Sequence, residues 1–294
     1  MLYVEWDTHN FICPRDGGGL RGLGYSIMTK AGASRVVLVT GASSGIGRCC
    51  AEFLAARGYR VYGASRRPVA LPGVEPLVMD VTDDDSVLQA VAAVLDREGR
   101  VDVVVNNAGI VIAGAVEDCC IADAKEQFDV NLFGVLRICR AVLPAMRQQR
   151  AGYILNVGSI GGLIAIPYQG LYSASKFALE GLSESLRLEV RGFGIQVVLI
   201  EPGDHRTALT SNRRCVESDI YRERFDCAIA RMAGDEQGGP HPQGVAHLVY
   251  RVIQKPHPRL RYTVGPVMQR AAVWLKRLMP YAVVERAMRS YYGR

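Results

Sequence analysis

Tyr172 and Lys176 stand four residues apart in Tyr172-Ser-Ala-Ser-Lys176, within a stretch whose spacing predicts a helix over residues 170–191. Side chains at that interval project from one helix face, one turn apart. A phenol ordinarily titrates near pH ~10. A neighbouring ammonium favours the phenolate, so the pair predicts a lowered Tyr172 pKa and a tyrosine able to exchange protons at neutrality. Alone, such a pair is just a tyrosine and a lysine sharing a solvated face. The elements around it give it weight.

Residues 35–40 form an apolar run of the length of a buried parallel strand, followed at once by Gly41-Ala-Ser-Ser-Gly45-Ile-Gly47. Residues 48–57 then read as a helix, with Gly58 closing it. Strand, glycine turn and helix N-terminus make an anion site, because bare backbone can approach a pyrophosphate and the helix dipole favours its charge. The second strand, residues 59–64, ends in Ser65-Arg66-Arg67. An NAD-binding chain would place Asp or Glu there against the ribose hydroxyls. A guanidinium instead clamps a 2′-phosphate, so the site predicts NADP(H); the plain alternative is two surface arginines opening a loop.

The third strand covers residues 74–79 and runs into Asp80-Val81, with its helix over 86–98. Asp80 either accepts from the adenine amine or is a turn residue ahead of Thr82. A fourth strand, residues 101–105, enters Asn106-Asn107-Ala108-Gly109, at the strand end where open parallel sheets bind ligands. Residues 121–149 read as one long helix, apolar on more than one side, which suits packing on the sheet and on a second subunit. Asn131 falls inside it, and a buried structural amide is its plain reading. The fifth strand, 153–157, ends at Gly158-Ser159, and the sixth, 195–200, ends at Glu201-Pro202-Gly203.

Residues 204–243 turn polar and glycine-rich, a lid over the ligand edge with a short helix over 218–232. Helical spacing resumes over 244–254, and 260–264 suits a last strand. In the tail, residues 266–294, Val267, Ala271, Trp274, Leu275 and Leu278 share a helical stripe amid mostly basic charges, and Pro280 can start a second helix. Such a helix suits an anionic membrane surface or closure over an apolar substrate. Docking on its own domain or on a partner subunit is the plainer alternative. Residues 1–34 show no amphipathic period and read as a loose arm or an over-long gene start.

The chain has 294 residues, 49% hydrophobic and 22% charged, with a mean hydropathy of +0.08, enough for a full core. Its net charge of +6 is too diffuse for a nucleic-acid patch. No apolar run reaches the ~18 residues of a membrane span. The eight cysteines include the adjacent pairs Cys49-Cys50 and Cys119-Cys120 and show no spaced framework, which predicts reduced thiols and a cytoplasmic setting. The five His residues are scattered and predict no metal site.

Strands alternating with helices predict an α/β, doubly wound, Rossmann-type parallel sheet of about seven strands in a single domain, residues 35–265. Thr40-Gly-Ala-Ser-Ser-Gly-Ile-Gly47, Asn106-Asn-Ala-Gly109, Asn131, Ser159, Tyr172-x-x-x-Lys176 and Pro202-Gly203 with Thr207 resemble the short-chain dehydrogenase/reductase family over residues 35–205. The lid and tail resemble its 17β-hydroxysteroid dehydrogenase-like, lipid-alcohol branch. The resemblance implies a catalytic set of Asn131, Ser159, Tyr172 and Lys176. It implies that Gly41, Ser43, Ser44, Gly45, Ile46 and Gly47 hold the pyrophosphate and adenine ribose, with Ser65, Arg66 and Arg67 at the 2′-phosphate. Asp80 and Val81 would meet the adenine. Asn107, Ala108 and Gly109 would line the nicotinamide, Lys176 would bond its ribose beside Tyr172, and Pro202, Gly203 and Thr207 would hold the carboxamide. It further implies a small hydrophobic carbonyl or alcohol substrate and a homodimer or homotetramer, with 3-oxoacyl-thioester reduction or a non-catalytic NADP(H)-binding role as the rival readings. Asp204-His205 after the Pro-Gly turn departs from the family pattern.

Overall fold

A computed structural model describes residues 34–292, which lie in one compact unit. All but the last residue of the expected arm over 1–34 falls outside them.

Continuous apolar runs build the centre of the sheet. In β1 (Val36–Thr40) every residue is buried: Val36 and Leu38 face one layer of the core, Val37 and Val39 the other. A strand buried on both faces must lie inside a parallel sheet covered by helices on each side. Beside it run β2 (Arg60–Ser65), β3 (Val74–Val78), β4 (Val103–Asn106), β6 (Gly152–Val157), β7 (Ile195–Pro202) and β9 (Arg261–Val264), all parallel, in the order β3-β2-β1-β4-β6-β7-β9. The order reverses between β1 and β4, and the crevice at such a switch point is where doubly wound sheets take ligands.

The first layer packs α2 (Asp84–Glu98), α4 (Gly134–Gln149) and α5 (Gly170–Val190) on the sheet, and the second packs α1 (Gly45–Ala55) and α8 (Gln243–Ile253). Asp83 caps α2 by accepting from the Ser86 amide at 2.7 Å, and Gly99 ends it in the left-handed conformation at φ 70°. Two-residue strands β5 (Ile112–Ala113) and β8 (Arg214–Cys215) pair in parallel away from the main sheet.

Residues 121–149 are not one uninterrupted α-helix. They form α3 (Ile121–Phe128), a π-helical turn at Asp129–Phe133 and α4. The side chains explain the break. Gln127 exchanges hydrogen bonds with Ile112 N at 2.8 Å and Ile110 O at 2.6 Å, and Asn131 binds both Ile110 polar atoms. The extra residue of the turn falls where both amides bond the segment 110–112 that leads into β5.

The lid segment holds α6 (Leu209–Asn212), β8 and α7 (Arg222–Gly238), so its helix starts and ends later than residues 218–232. The tail folds as α9 (Val267–Leu278) and α10 (Tyr281–Tyr292). The predicted stripe faces outward: Val267, Ala271, Trp274, Leu275 and Leu278 are exposed, and Val273 is the buried residue of α9. Periodicity locates an apolar face but not what covers it.

Candidate active site

One cavity of about 1000 Å³ opens along the carboxyl ends of the strands. Its cofactor end is made mainly of backbone. Gly41 and Gly45 have φ +65° and +55°, so the turn after β1 takes a conformation that glycine adopts without strain. A Cβ on Gly41 would lie 2.9 Å from Ala108 Cα, so β1 and β4 approach too closely for any side chain. Ser44 precedes α1 in extended conformation and makes no side-chain cap, which leaves the first amides of α1 for an anion. Ser43, Ser44, Gly45 and Ile46 all line the cavity, as do Asn107, Ala108 and Gly109.

Gly47, expected at the pyrophosphate, is buried instead. A Cβ there would overlap Asn107 Nδ2 and the Gly41 carbonyl, so it packs the turn against β4. Asn107 Nδ2 donates to Thr40 O at 3.0 Å, and Thr40 Oγ1 accepts the Asn107 and Ala108 amides at 2.9 and 3.0 Å. Ser65, Arg66, Asp80 and Val81 line the far end; Arg67 does not, and its carbonyl takes the Ser65 hydroxyl at 2.6 Å. Asp80 is a turn acceptor for Thr82 N and Oγ1, at 2.9 and 2.7 Å, while also facing the cavity. Those bonds, with a smaller contribution from Arg66, lower its pKa. Glycine turn, open helix amides and basic far end fit a nicotinamide dinucleotide.

At the reacting end, Ser159, Tyr172 and Lys176 line the same cavity, with Pro202, Gly203 and Thr207 across from them. Ser159 Oγ accepts the Gly161 amide at 3.0 Å. Lys176 is buried and donates to the Val157 carbonyl at 2.8 Å, with its nitrogen 5.9 Å from the centre of the Tyr172 ring. Burial pulls Lys176 down to about 8, and Glu180 one turn along opposes this. Tyr172 is raised rather than lowered, chiefly by burial, with the Ser159 hydrogen bond opposing. The expected lowering fails because the Lys176 ammonium is turned to a backbone carbonyl, and dehydration of the phenol outweighs its field.

Asn131 is fully buried and does not line the cavity. Its Oδ1 accepts from Ile110 N at 2.9 Å, and Nδ2 donates to Ile110 O and to Ser175 Oγ, each at 3.1 Å. Both amide hydrogens are thus spent, and one lone pair of Oδ1 is left for a water.

The cavity's other wall comes mainly from the lid and tail segments. Gln169, Asp204, Met232, Glu236, Met268, Gln269 and Tyr292 line the same cavity as Tyr172, from α7, α9, α10 and two loops. Of these, sequence reasoning singled out Asp204 and missed the rest. It also missed the carboxylates behind Lys176. Arg261 Nε meets Glu180 Oε2 at 2.7 Å and Glu201 Oε1 at 3.5 Å, and its other nitrogen meets Glu184. Burial raises Glu201 to about 7, with Glu180 adding to the rise. No local signal marks these residues, because each is one of many scattered charges until the fold gathers them.

The profile of the family described as short chain dehydrogenase matches residues 35–217. A 3-ketodihydrosphingosine reductase from Bacteroides thetaiotaomicron is 42% identical over 264 residues, 88% of this chain and 98% of that one. Human 17-beta-hydroxysteroid dehydrogenase type 1 is 37% identical over 78% of this chain and 77% of its own. A solved short-chain dehydrogenase/reductase from Burkholderia phymatum in complex with NAD superposes with a TM-score of 0.73 at 25% identity, over 86% of this chain and 95% of that one. The chain belongs to the short-chain dehydrogenase/reductase family and is an oxidoreductase of that class.

Proposed function

We propose that the protein interconverts a ketone and a secondary alcohol on a hydrophobic, lipid-like substrate, using NADP(H). The observation that carries this reading is the gathering of Ser159, Tyr172 and Lys176 in the cavity that also holds the glycine turn. When bound, the dinucleotide supplies or accepts the hydride. Ser159 and Tyr172 donate hydrogen bonds to the carbonyl oxygen, where negative charge develops during reduction. Tyr172 then gives its proton to that oxygen. Its raised pKa keeps it protonated at neutrality, in the form that reduction needs. Lys176 would hold the ribose hydroxyls of the bound dinucleotide and would return a proton to Tyr172. Asn131 pins Ile110 against α5, and its remaining lone pair is the side-chain position that can hold a water on the way to Lys176.

NADP over NAD rests on Arg66 at the cavity's far end and on the lack of a carboxylate at the end of β2. The lipid-like substrate is supported by Ile164, Ile166, Met232, Met268, Ala272 and Met288 in the cavity wall. It accords with the names of the two relatives, a ketodihydrosphingosine reductase and a hydroxysteroid dehydrogenase. NADPH consumption with a panel of long-chain and steroid ketones tests the reading. Turnover confined to oxoacyl thioesters would replace it, and dinucleotide binding without turnover of any carbonyl would favour a sensor.

Two assembly features belong to the same proposal. Phe133, Leu136, Phe177 and Leu188 are exposed on α4 and α5 and the turn before α4, the surface expected between subunits of a homodimer or homotetramer. No described helix is long and apolar enough to cross a membrane. The outward face of α9, with Trp274 67% and Leu278 82% exposed beside Arg270 and Arg277, suits peripheral contact with an anionic bilayer instead. Flotation with anionic vesicles, repeated with the W274S/L278S pair, reads that contact out.

A further inference from the structure

Asp204, the departure after the Pro-Gly turn, lies in the wall of the cavity that holds Tyr172. Gln269 of α9 fixes it twice: Oε1 accepts the Asp204 amide at 2.9 Å, and Nε2 donates to the carboxylate. Its neighbour in the wall, Glu236 of α7, is already balanced. Glu236 pairs with Arg213, whose side chain is 2% exposed, and takes a hydrogen bond from Thr210. Asp204 has no cation within ion-pairing distance among the described residues; its side chain meets the neutral amide of Gln269. Burial accordingly pushes its carboxyl above the usual range. Asp204, Glu236 and Tyr172 line one cavity, and both carboxylates raise the phenol's pKa. A half-buried carboxylate with no ion-pair partner becomes costly once a substrate covers it, and a substrate that brings the charge removes that cost.

We propose that Asp204, held in place by Gln269, binds the ammonium of a substrate carrying a primary amine on the carbon next to its reducible carbonyl: a long-chain α-amino ketone. The proposal rests on the reading of the site as a reductase of lipid-like ketones and narrows it. The amine sits beside the carbonyl and hence beside the phenol, and the alkyl chain meets Met232, Met268, Ala272 and Met288. A steroid ketone or an oxoacyl thioester brings no cation and leaves Asp204 dehydrated and unpaired.

The test compares the full-length wild type with D204N, with NADPH, on a long-chain α-amino ketone, its N-acetyl form and its des-amino form. Asparagine keeps the size and can still accept from Gln269, so α9 stays anchored. Wild type is expected to favour the free amine by about 10- to 100-fold in kcat/KM, the worth of a charge-assisted hydrogen bond. D204N should lose that preference, mainly through KM. An equal loss on all three substrates would make Asp204 a mere prop for α9 and overturn the proposal. So would a wild type indifferent to the amine while reducing the des-amino ketone, a result that leaves the proposed reduction standing. If no ketone is turned over, the reduction falls, and Asp204 is judged by binding. The saturated long-chain amino alcohol should raise the wild-type Tm more than its N-acetyl form does, and D204N should abolish the difference. Equal shifts in both proteins would refute the assignment.

Discussion

The two ends of the cavity are built on different principles. The cofactor end is mostly main chain: Gly41, Gly45 and the open amides of α1, closed in by the Thr40–Asn107 hydrogen bonds between β1 and β4. The opposite end is mostly side chain, brought from α7, α9 and α10, which lie far in sequence from the glycine turn. Backbone can recognise a pyrophosphate of fixed shape and charge, and such a site tolerates little change. A wall of side chains can be rewritten one residue at a time. On the proposed reading, the difference teaches that the class of reaction is set at one end and the choice of substrate at the other.

The largest expected effect falls where the two ends meet. Tyr172→Phe should lower kcat on the order of 10²- to 10⁴-fold while leaving NADPH binding close to wild type; turnover of the phenylalanine variant at the wild-type rate would break the acid/base assignment. Gly47→Ala attacks the backbone end alone. Its new Cβ overlaps Asn107 and Gly41, and it should cost about 1–3 kcal/mol in denaturant unfolding together with dinucleotide affinity. A variant as stable as wild type would mean that the turn is less tightly packed than described.

Arg66→Ala should reduce the preference for NADPH over NADH by about 10- to 100-fold, read as a ratio of kcat/KM values. An unchanged ratio would move the 2′-phosphate contact elsewhere. Glu201→Gln probes the boundary, at the end of β7. Its carboxyl is raised from 4.5 to about 7, so the folded protein binds the extra proton. That contribution is complete below the unfolded value, near pH 4.5, and is lost as pH rises through 7. The glutamine variant should therefore lose less stability than wild type between pH 5 and pH 7.5, by on the order of 1–2 kcal/mol given the shared Arg261. Parallel pH curves would show that the carboxylate stays ionised. The smallest effect is at the outer face: W274S/L278S should change stability by less than about 0.5 kcal/mol, since both side chains are exposed. A large loss of stability would show that a partner copy covers them.

The same division governs what could be read from the sequence. The strand runs and the glycine turn were legible because backbone requirements leave local marks: a continuous apolar run, glycines where φ is positive, a helix directly after. Helix α5 with Tyr172 and Lys176 appeared for a similar reason. The π-helical turn at Asp129–Phe133 did not, because it goes with where Asn131 and Gln127 find partners, on the segment 110–112. The pKa shift of Tyr172 ran opposite to expectation because spacing gives the neighbour but not the burial, nor the carbonyl that holds Lys176. Asp204 could be noticed as a departure, but its place beside Gln269 and Glu236 depends on three segments meeting.

The short pairing of β5 with β8 bears on how a bulky molecule gets in. Arg214 N donates to Val111 O at 3.0 Å and Val216 N to Ala113 O at 2.7 Å, so the segment after the Pro-Gly turn is tethered to the body ahead of α7. It cannot swing as a single flap. The two carboxyl-terminal helices are held as well, α9 by Gln269 on Asp204 and Lys276 on the Leu163 carbonyl, α10 by Tyr291 on Asp235, so passage of an aliphatic chain should require these side-chain contacts to part.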